Sequence, residues 1–142
     1  MDPGSRSGEV AAAFPIGRVI AVWMLIMLAE TAHGTVREIF IAPVLGDLRA
    51  RQLGVPIGCL IIFALAWATA RWMGALTRQS QLKAGALWVV LTLAFELALG
   101  LALNLGWARI LSDYNPARGG FMVLGLIFMF FAPRLAARLR RI

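Results

Sequence analysis

The residues with chemistry to offer are few, and they sit in apolar company. Glu30, His33 and Arg37 fall inside or at the end of one oily stretch, and Glu96 interrupts another much later in the chain. On an α-helix the first three are spaced i, i+3 and i+7, which places them on one stripe roughly 60° wide. An acid, an imidazole and a guanidinium then stack along one edge. Facing lipid, each would cost roughly 2.5–3.5 kcal/mol or more at the bilayer centre, so the stripe must turn toward protein or a water-filled cavity. Glu96 has its own stripe with Thr92, Gly100, Leu103 and Trp107, and Asn104 at its border. Gly100, one turn beyond Glu96, leaves room there for a partner side chain or water. If the first and third helices are neighbours, Glu96 reaches His33 or Arg37.

Two kinds of chemistry suit such a cluster. Burial and a neighbouring guanidinium act in opposite directions on a carboxyl's proton affinity, and imidazole titrates near neutrality, so the group can exchange protons with His33 as relay. That would couple proton movement to the passage of a small ion or organic cation. Alternatively, Glu96–Arg37 and Glu30–His33 are satisfied internally and fix helix register. Other chemistries lack residues. A single histidine with no cysteine beside it is a poor metal or haem ligand set, so we expect no metal and no cofactor. Cys59 is the only cysteine, which excludes an intrachain disulfide and any CxxC motif and suits a buried structural thiol. There is no nucleotide loop, no GxSxG, no HExxH and no paired-carboxylate hydrolase pattern, and we name no catalytic residue.

The elements that must hold these groups are membrane spans. The chain has 142 residues, 61% of them hydrophobic, and the excess over soluble domains is concentrated in long runs. The net charge of +7 comes from 14 Lys and Arg against 7 Asp and Glu. The basic residues cluster at the ends of the apolar runs, where membrane proteins keep topological signals, so nucleic acid is not the expected partner. The expected fold is an all-α bundle of four transmembrane helices at about 16–42, 53–72, 84–107 and 119–136, one domain over residues 16–142 after a flexible segment at 1–15.

The first helix would be about 40 Å long, more than the hydrocarbon core, so it must tilt or kink, with Gly34 the natural place. Arg6 and Arg18 before an apolar run have the look of a signal peptide, but Ala29-Glu30-Thr31-Ala32 is a poor cleavage site. Gly54 and Gly58 form a small-xxx-small pattern that permits close helix contact. Pro56 is expected in the first turn of the second helix, where its missing N–H matters least. The five tryptophans and the methionines are expected to pack, with Trp72 and Trp107 suited to an interfacial belt.

Arg6, Arg18, Arg71, Arg78, Lys83 and the four tail arginines lie on one side, and Arg37, Arg49, Arg51, Arg109 and Arg118 on the other. The positive-inside rule puts both termini in the cytoplasm. The links Gly46–Gln52 and Ser112–Asn115 then share the outer face and could frame an entrance.

The pattern Ala29-Glu30…His33-Gly34…Arg37…Pro43…Gly46-Asp47…Arg49-Ala50-Arg51-Gln52-x-Gly54-Val55, followed by Phe95-Glu96, Asp113-Tyr114 and Gly119-Gly120, resembles a family of short bacterial inner-membrane proteins. The resemblance covers about residues 19 to 140. It implies a four-helix integral membrane protein and carries no activity with it. In size and in its membrane-embedded glutamate the chain is also similar to the small multidrug resistance transporters, whose glutamate has a different sequence setting, so no residue is carried over.

Three function classes stand. The chain is a small transporter or channel using Glu30, His33, Arg37 and Glu96, a scaffold or accessory subunit of a larger membrane complex, or, least supported, an intramembrane enzyme acting on a lipid or isoprenoid. Partners are the bilayer and, because four short helices enclose little volume, a second copy in a homodimer or a larger complex.

Overall fold

The computed structural model describes residues 13–112, 114–115 and 120–142. Most of the expected N-terminal segment (residues 1–12), together with Asp113 and residues 116–119, lies outside them. The described residues are helical and contain no strand. Four helical stretches are long and apolar enough to cross a membrane: Ile16–Leu45, Asp47–Met73, Arg78–Ala102 and Met122–Leu139.

The first stretch is not one regular helix. α1 (Ile16–Val36) passes into a π turn at Arg37–Ile41 and then a short α2 (Ala42–Leu45). Gly34, the expected kink, lies inside regular α1. The irregularity falls later because Pro43 has no N–H to give and its ring clashes with the carbonyl four residues back, at Ile39, inside the π turn. Gly46 breaks the chain with φ +86°, a conformation that favours glycine. α3 (Asp47–Met73) follows at once, so the polar link expected at 43–52 is largely helix and Pro56 lies in a helix interior. Gly74, in the left-handed conformation, ends it.

Thr77 opens α4 (Arg78–Ala102) with a capping box in which its hydroxyl accepts from the Ser80 N–H and the Ser80 hydroxyl accepts from the Thr77 N–H. α4 stops at Ala102, before the expected Trp107. Asn104, at φ +55°, forms the turn in which the Leu105 N–H reaches the Gly100 carbonyl and the Asn104 N–H the Leu101 carbonyl, a Schellman closure. A short α5 (Trp107–Ser112) follows, and α6 (Met122–Leu139) runs on through Pro133.

α3 packs between α1 and α6, and α4 between α6 and α1, so the four long helices close into a ring. Small residues permit this. α3 buries Ala50, Gly54, Gly58, Ile62, Ala66 and Ala70, a stripe of four-residue spacing. Below the middle of the bundle the interior is filled by Val19, Val22, Ile26, Ala66, Trp88 and Ala132, all almost fully buried. Two polar contacts lock this half: the Trp88 indole donates to the Val19 carbonyl at 2.9 Å, and the buried Gln81 donates to Ala75 O and accepts from Arg134. Arg18 and Arg140 donate to carbonyls at the end of α3 and stack over Trp72 and Trp67. The Trp72 carbonyl is one of the four that a helix end leaves without an intrahelical donor, and Trp67 lies further up the helix.

The tightest approach is at Gly85, where a Cβ would overlap the Phe130 carbonyl of α6. Gly85→Ala must push α4 from α6, and we expect a loss of about 1–3 kcal/mol in detergent-solubilised unfolding. Gly17→Ala, where nothing lies within 4 Å, should leave stability unchanged or raise it by up to about 1 kcal/mol. Equal melting of the two variants would refute the packing described.

Candidate functional site

The inward face of α1 changes character halfway along. Val19, Val22 and Ile26 are buried in the core, and Glu30, His33 and Arg37 follow each of them by eleven residues. Eleven residues are three turns to within about 20°, so the same face runs from aliphatic to ionisable without rotating. The ionisable half lines a cavity of about 450 Å³. Met27, Ile62, Thr92 and Met129 line its closed end, and α3, α4 and α6 complete its wall.

Glu30, His33, Arg37 and Glu96 all line this one space. His33 Nδ1 lies 3.4 Å from Glu30 Oε2, a long hydrogen bond when the proton is on Nδ1. The field of Arg37 reaches both carboxylates. Among the described residues no ion pair or hydrogen bond joins Arg37 or Glu96 to a partner. Three buried polar atoms, Glu30 Oε1, His33 Nε2 and Arg37 Nε, have no hydrogen-bond partner among the described residues. The cluster therefore brings charges of both signs together with Glu30–His33 as the one contact between them among the described residues.

The glycines of α3 serve this cluster. A Cβ at Gly58 would meet Glu30 Oε2 at 3.1 Å, and one at Gly54 would meet Arg37 Cδ at 3.1 Å and His33 Cε1 at 3.6 Å. The pair permits close approach, as small residues four apart do, but what approaches is the ionisable edge of α1. At Gly100 the room is taken by a side chain from another helix: a Cβ there would meet Ile110 of α5 at 3.0 Å. Asn104 departs from the expected stripe. It is exposed and closes α4 instead of bordering the cavity, because the helix ends before the stripe reaches it.

Other lining residues were not singled out from sequence. Glu38 lines the cavity although it is 100° from Arg37 on a regular helix. Thr31 and Thr35 of regular α1 line it too, so the edge of the cavity takes in more of this helix than the one stripe. Arg51 and Gln52, assigned to a link, line it from the first turns of α3. Asp47 accepts from Arg51 Nε at 3.1 Å and lies 3.6 Å from Arg109, so α5 reaches the start of α3 here. Thr92 accepts from the Trp23 indole at 3.0 Å and donates to Met129 Sδ at 3.3 Å, tying α1, α4 and α6 together at the cavity's closed end.

Comparison with protein-family models, curated proteins and solved structures finds no match to the chain. The site therefore has to be argued on its own geometry. Among the described residues no three His, Cys, Asp or Glu side chains gather as metal ligands would.

Tyr114 is the only tyrosine in the chain. Burial, and then the Glu96 carboxylate, push its phenol above the ordinary range. The phenol's ultraviolet titration thus reports the charge at Glu96. In Glu96→Gln the midpoint should fall toward that of a free tyrosine, because an anion that opposes phenolate formation is gone. An unchanged midpoint would place Glu96 away from Tyr114 and contradict the geometry.

Proposed function

We propose that this chain is a small proton-linked transporter of the bacterial inner membrane, with both termini in the cytoplasm and the cavity opening on the opposite side. The reading rests on one observation: an acid, an imidazole and a guanidinium from α1 share a cavity with Glu96 while Glu30 Oε1, His33 Nε2 and Arg37 Nε have no hydrogen-bond partner among the described residues. Groups that only fix helix register do so by satisfying one another. Unsatisfied groups facing a space of this size are placed to meet water, protons or a solute. Glu30 and Glu96 would take up and release the proton, His33 would relay it, and Arg37 would set the balance between them. The filled lower half of the bundle offers no continuous path, so passage requires movement of α1 against α3 or a second copy, with a homodimer the simplest closure.

A second reading has support of its own. Glu30, His33 and Arg37 seat at Gly58 and Gly54, which fixes α1 against α3 and would suit a scaffold or accessory subunit.

Proteoliposomes loaded with a pH-sensitive dye separate the two. Under an imposed pH gradient the wild type should acidify the lumen faster than protein-free vesicles. Glu30→Gln and Glu96→Gln should each cut that rate at least about tenfold while melting in detergent stays within a few degrees of wild type. Wild-type vesicles no faster than empty ones would overturn the transporter reading. Variants that lose melting temperature instead of flux would favour the scaffold.

A further inference from the structure

We propose that the cavity binds a small zwitterion carrying a primary ammonium and an anionic group, with an apolar remainder. The proposal rests on reading the cavity as a solute site and names the class of solute.

The unpartnered atoms set the terms. With the His33 proton on Nδ1 toward Glu30, its Nε2 is an acceptor, and Glu30 Oε1 is another. Arg37 Nε is a donor. A simple cation would satisfy the two acceptors but leave the Arg37 donor unmet and face its positive charge. A simple anion would satisfy Arg37 but face Glu30 and Glu96. A ligand with both signs satisfies every orphan: an ammonium has three N–H donors for Glu30, His33 and Glu96, and a carboxylate or phosphate pairs with a guanidinium through two parallel hydrogen bonds.

The spacing is suitable. Glu30 seats at Gly58 and Arg37 at Gly54, one turn of α3 apart, or about 6 Å along the axis. That gap accepts an ammonium and an anionic group separated by two or three bonds, with a hydrogen bond at each end. Part of the wall is apolar, with Met27, Ile62, Phe95, Leu126 and Met129, which gives a place for a hydrocarbon side chain beside the charged pair. A free amino acid and an ethanolamine phospholipid headgroup both carry this chemistry.

The test uses the full chain in nanodiscs at neutral pH with no gradient, so a protein that binds yet moves no protons would sink the transporter reading alone. Leucine is the free probe, with leucine amide and 4-methylpentanoate as its single-charge relatives. In phosphatidylcholine discs, leucine should quench tryptophan fluorescence or raise the melting temperature with an affinity at least tenfold above either relative. Arg37→Gln should erase the preference over the amide, and Glu30→Gln the preference over the acid. If leucine is silent but phosphatidylethanolamine discs raise melting over phosphatidylcholine discs, and Arg37→Gln removes the difference, the zwitterion is the lipid headgroup. Two results overturn the proposal: neither source acting, or a single-charge relative binding as well as leucine. Gly17→Ala, remote from the cavity, should behave as wild type throughout and exposes any general effect of substitution.

Discussion

Charges of both signs lodged between apolar helices are the constraint around which this bundle is arranged. Turned to lipid, each would cost roughly 2.5–3.5 kcal/mol or more. Turned inward, they need room, and Gly54 and Gly58 provide it at about 1 kcal/mol each in lost helix propensity. Inward placement therefore wins by several kcal/mol even after the glycines are counted, and an alanine at either position would press on the side chains it now seats. Antiparallel α1 and α3 consequently match in sequence as well as in space: Glu30 lies at Gly58, and Arg37, further along α1, at the earlier Gly54.

The bundle divides into two halves with opposite physical logic. Around Trp88, Ile26 and Ala132 the interior is dry and every buried polar contact is completed, as with the Trp88 indole on Val19 and Gln81 between Ala75 and Arg134. Arginines at that end are tied to carbonyls in the last two turns of α3. The other half has a cavity, a π turn, a glycine break and polar atoms without partners among the described residues. The polar chain from Trp23 through Thr92 to Met129 marks the boundary. Such a division keeps the helices in one packing while leaving the site under-determined, since rigidity comes from the filled half.

Much of this was legible in the sequence, and the parts that were not share a cause. Long apolar runs announce helices by composition, and Glu30, His33 and Arg37 fall on one edge because i, i+3, i+7 spacing holds wherever the helix is regular. Legibility fails where regularity does. The irregularity of the first stretch falls in a π turn at Arg37–Ile41 and not at Gly34, and a uniform 100° step cannot show that. Asn104 was placed on a stripe that assumed α4 continued, whereas the chain leaves the helix there in a left-handed turn. The start of α3 was hidden for another reason. Asp47, Arg49, Arg51 and Gln52 read as a link on hydropathy, yet arginine, leucine, alanine and glutamine are good helix formers and Gly46 supplies the break before them. Gly54 and Gly58 were visible as a close-contact motif, but sequence does not say whether a notch receives a backbone or a carboxylate.

The choice between a site and a structural clasp turns on what pairing would have been cheap. Arg37 and Glu96 line one cavity and Arg37 acts electrostatically on Glu96, yet no ion pair forms between them. A two-bond guanidinium–carboxylate contact would have satisfied both groups and closed the space. Breaking such a buried pair leaves an uncompensated charge at a cost of several kcal/mol, so a clasp gains from being complete. Instead, both groups line an open cavity of about 450 Å³. A buried group held without its partner raises the free energy of the empty state, and whatever completes it on binding recovers that difference as affinity. The unpaired arrangement is thus a cost to stability alone and an advantage to a protein that must take something up and release it.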